Sequence, residues 1–174
     1  MKSNHLLMTF VLVASTTATT ACAQASAPQS MQTPAPRQLV VASANTCLPP
    51  VLVHKNASCG CCNAWVDHLR QQGFKVQVRD VDDMGPVKQR LGIPYGKGSC
   101  HTAEVGGYFV EGHVPASDIK RLLAEKPAAK GLVLPGMPLG SPGMEVPDGT
   151  VQAYTVELVQ ADGTTAEYSR HGAD

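Results

Sequence analysis

Three cysteines fall within four positions, Cys59-Gly60-Cys61-Cys62, and a fourth stands beside a histidine in Ser99-Cys100-His101-Thr102. Cys59 and Cys62 have the two-residue spacing of a redox dithiol, whose chemistry is thiol–disulfide exchange through the thiolate. Cys61 is one sulfur more than exchange requires. Sulfurs this crowded suit a soft metal ion, or several, and a further thiol and imidazole brought to the same place would add ligands. Buried, inert cysteines are the plain alternative, and three of them in one short loop argue against it.

Other soft donors follow. His113, in Glu111-Gly112-His113-Val114-Pro115, stands where a strand turns into a helix; it either faces the same end of the sheet or is a surface histidine at a helix start. Met137 and Met144 bracket a turn of Pro and Gly, and a thioether suits a soft metal ion, although methionine serves equally as packing. His54, at a strand end near the thiols, is a weaker candidate. His68 and His171 read as solvated, and Cys47 as a free thiol or a disulfide partner. No catalytic residue and no organic cofactor site is expected.

The elements that must position these groups can be read from periodicity. Val51-Leu52-Val53 is a short apolar run, a buried strand leading into the cysteine loop. From Asn63 to Gln72, Trp65, Val66 and Leu69 share one face, and Gly73 sits where a helix stops. Strand, loop and helix in that order place the second thiol of the pair at a helix N-terminus, where free amides and the macrodipole favour thiolate. Phe74 to Val81 alternates, so a second strand with one buried face is expected. Asp82 or Asp83 can cap a short helix ending at Leu91, with Gly92 and Pro94 beyond.

Thr102 to Val114 reads as a hairpin turning at Gly106-Gly107, and Pro115 opens a helix with Ile119, Leu122 and Leu123 as its apolar stripe before Pro127. The expected order is β-α-β-α-β-β-α, an α/β domain of thioredoxin-like type over residues 51–130. In that order the Cys100-His101 junction lies beside the first loop; disulfide-exchange enzymes carry a proline there, and this chain does not. Residues 131–174 are read as a Gly/Pro/Met loop, Leu132 to Pro147, and a hairpin, Val151 to Val159 with Thr164 to Ser169, packed on the domain.

The remainder of the chain bounds its class. Its 174 residues suit one domain plus loose sequence. Fourteen Lys and Arg balance fourteen Asp and Glu without clustering, which argues against a nucleic-acid partner. Lys2, the apolar stretch Leu6 to Ala14 and the small residues around Ala21 to Ala25 make residues 1–25 a secretory signal, and nothing later approaches the roughly 20 apolar residues of a membrane span. The mature chain is therefore expected in the periplasm without a transmembrane segment. Lipid attachment at Cys22 is disfavoured, because Thr19-Thr20-Ala21 lacks a leucine-like residue. Residues 26–50 are rich in Ala, Pro, Gln, Ser and Thr and read as a disordered tether.

Several stretches together point further: Cys59-Gly-Cys-Cys, Asp80-Val-Asp-Asp, Ser99-Cys-His-Thr, Gly106-Gly-Tyr, Glu111-Gly-His-Val-Pro and Gly136-Met-Pro-Leu-Gly-Ser-Pro-Gly-Met. On these, residues His54 to Glu145 resemble the CopG-like family of periplasmic copper-resistance proteins, thioredoxin-like in fold. The resemblance implies Cu(I), as one or several ions, on Cys59, Cys61, Cys62, Cys100 and His101. It implies a protein that sequesters, relays or redox-converts cuprous ions in copper resistance, with periplasmic copper donor or acceptor proteins as partners. This is metal binding, with copper redox activity, rather than turnover of an organic substrate. The alternative is a periplasmic thiol–disulfide oxidoreductase using Cys59 and Cys62.

Overall fold

The computed structural model describes residues 47–172. The signal segment and the tether up to residue 46 lie outside the described residues. Ten elements follow one another: β1 (Val51–Lys55), α1 (Gly60–Gln71), β2 (Val76–Asp80), α2 (Gly85–Leu91), β3 (His101–Val105), β4 (Tyr108–Glu111), α3 (Ala116–Glu125), β5 (Ala129–Val133), β6 (Tyr154–Gln160) and β7 (Thr165–His171). The strands form one mixed sheet in the order β2-β1-β3-β4-β5-β6-β7. β1 is parallel to β2 and β4 to β5; the other neighbours are antiparallel.

Alternation decides which side of the sheet each residue serves. Val51 and Val53 of β1, Ala103 and Val105 of β3 and Val110 of β4 face α1 and α3, which supply Trp65, Val66, Leu69, Ile119 and Leu122 to the main core. Leu48 already packs against this core. On the opposite side Phe109, Val133 and Val159 make a smaller cluster with Leu91 and Ile93 at the end of α2. Mixed α/β layering, as expected, sandwiches the sheet between helices.

The first seven elements come in the expected order, and the structure differs from expectation in three places. α1 begins at Gly60 rather than Asn63, so Cys61 and Cys62 lie inside its first turn and Cys59 is its N-cap. β2 does not bury a face: only Val76 is even partly covered, and Val78 is 38% exposed, because β2 is the edge strand with a neighbour on one side only. Third, Leu132 and Val133 are not loop residues. They end a strand, β5, that pairs with β4 and carries the terminal hairpin onto the sheet. β5 hides because it contains Lys130 and Gly131, which break any apolar alternation. Gly131 is nonetheless required: a Cβ there would lie 2.0 Å from the carbonyl oxygen of Phe109. The hairpin itself forms where expected, turning at Asp162-Gly163, with the Asp162 carboxylate accepting from the Thr164 amide at 2.9 Å.

Candidate metal centre

The loop from Asn56 to Cys59 is wound by its own polar groups. The Asn56 side-chain oxygen accepts from the Ser58 amide (3.0 Å) and hydroxyl (2.6 Å), and the Asn56 carbonyl accepts from the Cys59 amide (3.1 Å). That turn delivers Cys59, Cys61 and Cys62 to the start of α1, where their sulfurs all lie within 4.8 Å of one another. Cys59 and Cys62 are joined as a disulfide, and the Cys61 sulfur sits 3.7 Å from that of Cys59. Cys62 is buried and the other two are partly open. Among the described residues the free thiols are Cys47, Cys61 and Cys100.

The Cys100-His101 junction arrives where the topology requires. His101 opens β3 and is the register partner of Lys55, the last residue of β1 before the cysteine loop. Cys100 is exposed, whereas the His101 ring is wholly buried, 4.4 Å from the Trp65 ring and 4.9 Å, edge-on, from that of His113. His101 Nε2 lies 3.0 Å from the Gly112 carbonyl, and His113 Nδ1 lies 2.8 Å from the Pro142 carbonyl. A carbonyl only accepts, so each of these nitrogens carries the proton and the other keeps its lone pair. Those other nitrogens, His101 Nδ1 and His113 Nε2, are buried without a partner. Burial, followed by the neighbouring His113, pushes His101 down to about 3 against the opposing bond to Gly112. Burial likewise lowers His113, against the Pro142 bond and the Glu145 charge. Both are neutral imidazoles with free lone pairs, the form that ligates metal.

The Gly/Pro/Met loop closes on the same end. Gly143 adopts φ +85°, and a Cβ there would lie 2.8 Å from the Trp65 amide nitrogen and 2.9 Å from the Cys61 carbonyl oxygen. The loop thus rests on the first turn of α1, one residue before Met144, which is partly buried. Met137 lies further out, 50% exposed.

The remaining histidines among the described residues are structural. His54 is buried on the α2 side of the sheet, opposite to Val53, and bonds Glu104 at 2.9 Å. His68 and His171, expected to be solvated, are only half-exposed and hydrogen-bonded. His68 Nε2 accepts from the Ala116 amide at 3.2 Å, supplying a cap to α3, and His171 contacts the Asp118 carboxylate at 2.7 Å and stacks on Tyr154. Sequence reasoning overlooked Trp65 as the plate between the thiol helix and His101, and Glu111 as a buried carboxylate. The one signal for Glu111 was a charged residue ending an otherwise apolar strand.

Fold and site together define a class: an α/β protein that sets clustered cysteine sulfurs at a helix N-terminus beside buried neutral imidazoles. Two solved structures titled copper resistance protein copG, in forms 2 and 1, are similar to it at 46% and 45% sequence identity, each with a TM-score of 0.68, covering 72% of this chain and 99% of theirs. Residues 97–144 match the family described as "Protein of unknown function, DUF411". No curated protein matches the sequence. The chain belongs to the copper resistance protein CopG family.

Proposed function

We propose that this protein handles copper in the periplasm, holding cuprous ions on Cys59, Cys61 and Cys62, with Cys100, His101, His113, Met137 and Met144 as further donors. In this role it sequesters, relays or redox-converts the ions for copper donor or acceptor proteins. The observation that carries the reading is the set of three sulfurs within 4.8 Å, since a soft monovalent ion prefers thiolate over oxygen. Two buried imidazoles with unpartnered nitrogens nearby support it, because an orphaned buried polar atom costs free energy that a ligand would relieve. The likeness to structures titled copper resistance protein copG gives copper its priority over other soft ions. The secretory signal read at residues 1–25 is consistent with an exported protein, and the strand order β2-β1-β3-β4 is consistent with the thioredoxin-like domain expected of this family. The disulfide is the oxidised form of the site, and its reduction by two electrons and two protons frees the thiols for metal.

The test is to reduce the purified protein, load it with cuprous copper and record its copper-edge absorption. Sulfur neighbours are expected, and a shell of nitrogen and oxygen alone overturns the reading. The Cys59–Cys62 disulfide favours a second reading, thiol–disulfide exchange. Insulin reduction separates the two: turnover comparable to a thioredoxin would favour exchange, and negligible turnover favours copper.

A further inference from the structure

Glu111 has no exposed surface, and a buried carboxylate is costly unless it is fully paired. It accepts from the Lys88 ammonium and the Ser99 amide, from the Ser99 hydroxyl at 2.9 Å and from the Thr102 hydroxyl at 2.6 Å. Lys88 also donates to the Thr102 hydroxyl at 3.0 Å. Ser99 Oγ lies 2.9 Å from the His101 carbonyl too, so its single proton is shared between the turn's own backbone and Glu111. Every residue of the Ser99-to-Thr102 turn except Cys100 and His101 is therefore tied directly to this one carboxylate, and those two are the residues the turn displays.

Glu111 does not itself reach the thiols. Its neighbour Val110 faces the main core with Trp65, so Glu111 points to the other side of the sheet, toward α2. Its own segment continues through Gly112 to His113. Gly112 has φ +80°, and a Cβ there would lie 2.6 Å from the Leu134 carbonyl and 3.4 Å from Ser99, so the strand end is pressed against the turn. One segment carries His113, the turn carries Cys100 and His101, and Glu111 joins them. Stability alone does not explain a charge here, since replacing a buried ion pair with apolar groups is often neutral or better.

We propose that Glu111 is a positioning residue of the metal centre: its buried carboxylate fixes the Ser99–Thr102 turn and so sets the placement of Cys100 and of the His101 ring relative to His113. This rests on the copper reading given above only for its consequence, not for its geometry.

The experiment uses the full mature chain carrying Glu111→Gln. In the reduced, metal-free protein, the His101 and His113 ring proton signals should shift, and alkylation of the Cys100 thiol should change rate. Cuprous affinity, measured by competition with a chromophoric chelator, should fall roughly 10–100-fold, as for residues that orient a ligand. Asp118→Asn, which removes a buried carboxylate whose side-chain hydrogen bonds go to Ser169 and His171, should leave the His101 and His113 ring signals and affinity unchanged. Parent ring signals and an affinity within about twofold in Glu111→Gln would overturn the proposal. Should that variant fail to fold, Ser99→Ala cuts one link of the turn while leaving the Lys88 pair. It should shift the His101 signal and weaken binding about three- to tenfold, and unchanged values would likewise overturn it. If the parent protein binds no cuprous copper, the copper reading fails, while the ring signals of the metal-free variant still decide the role of Glu111.

Discussion

The indole of Trp65 and the imidazole of His101 lie face against face, centroids 4.4 Å apart and tilted by 36°. Trp65 belongs to the helix whose first turn carries the thiols, and its Nε1–H donates to the Val114 carbonyl at 2.9 Å, beside His113. One side chain thus bridges the three segments from which the candidate ligands come. Displacing any one of them must be felt by the others.

Coupling of the thiols to the histidine follows. Cys62→Ala and His101→Ala should each weaken cuprous binding, and the double variant should depart from additivity by about 0.5–3 kcal/mol, as residues of one site do. Each single variant should also alter the copper spectrum of what remains. Strict additivity, measured by chelator competition on all four proteins, would place the two residues in separate sites.

Cys61 differs from its neighbours in being free while Cys59 and Cys62 are bonded. Cys61→Ser should lose cuprous copper yet change unfolding free energy by no more than about 0.5 kcal/mol, since it is a partly open residue of the first turn of α1. Copper content after gel filtration, alongside urea unfolding, checks both halves.

The metal-free protein should lose stability in mild acid. The folded pKa of His101 is near 3 against 6.5 unfolded, so the unfolded chain binds the extra proton throughout the interval between those values. Stability is therefore full above pH 6.5 and falls as pH drops through that interval. At about 1.4 kcal/mol per pKa unit, roughly 2–3 kcal/mol should vanish between pH 6.5 and 4.5, with His113 and His68 adding in the same direction. Glu104, held down to about 2 chiefly by its bond to Arg90, adds its own loss only below 4.5. Urea midpoints across this range should show the fall, and His101→Phe, which keeps the stack on Trp65, should flatten it.

Gly131→Ala should cost at least about 3 kcal/mol, because the new methyl meets backbone rather than a flexible side-chain end, 2.0 Å from the Phe109 carbonyl. Thermal unfolding of that variant, compared with Gly60→Ala, where a Cβ also meets nothing within 4 Å and φ is not left-handed, isolates the steric effect from the loss of glycine itself.

The cysteine loop was legible in the sequence because its signal is local: a run of valine and leucine, crowded sulfurs, then a helical stripe through Trp65, Val66 and Leu69. Placement of Cys100-His101 beside that loop was legible too, since it depends only on element order. What escaped depended on distant partners. His68 looks solvated on a helical wheel until Ala116, 48 positions on, brings it an amide. Glu111 looks misplaced in a strand until Lys88 and the Ser99 turn converge on it. β5 lacks any periodic pattern because Gly131 was selected for clearance against β4 rather than for strand propensity.

The sheet runs on past β5 through β6 and closes with β7, whose outward residues include Glu167 and Arg170 paired to each other. A chain truncated before Tyr154 would leave the flank of β5, ending in Leu132 and Val133, as a bare apolar template for a strand from another molecule. Such a fragment would keep every cysteine yet offer a bare edge to strand pairing, which the charged residues of β7 oppose in the full chain.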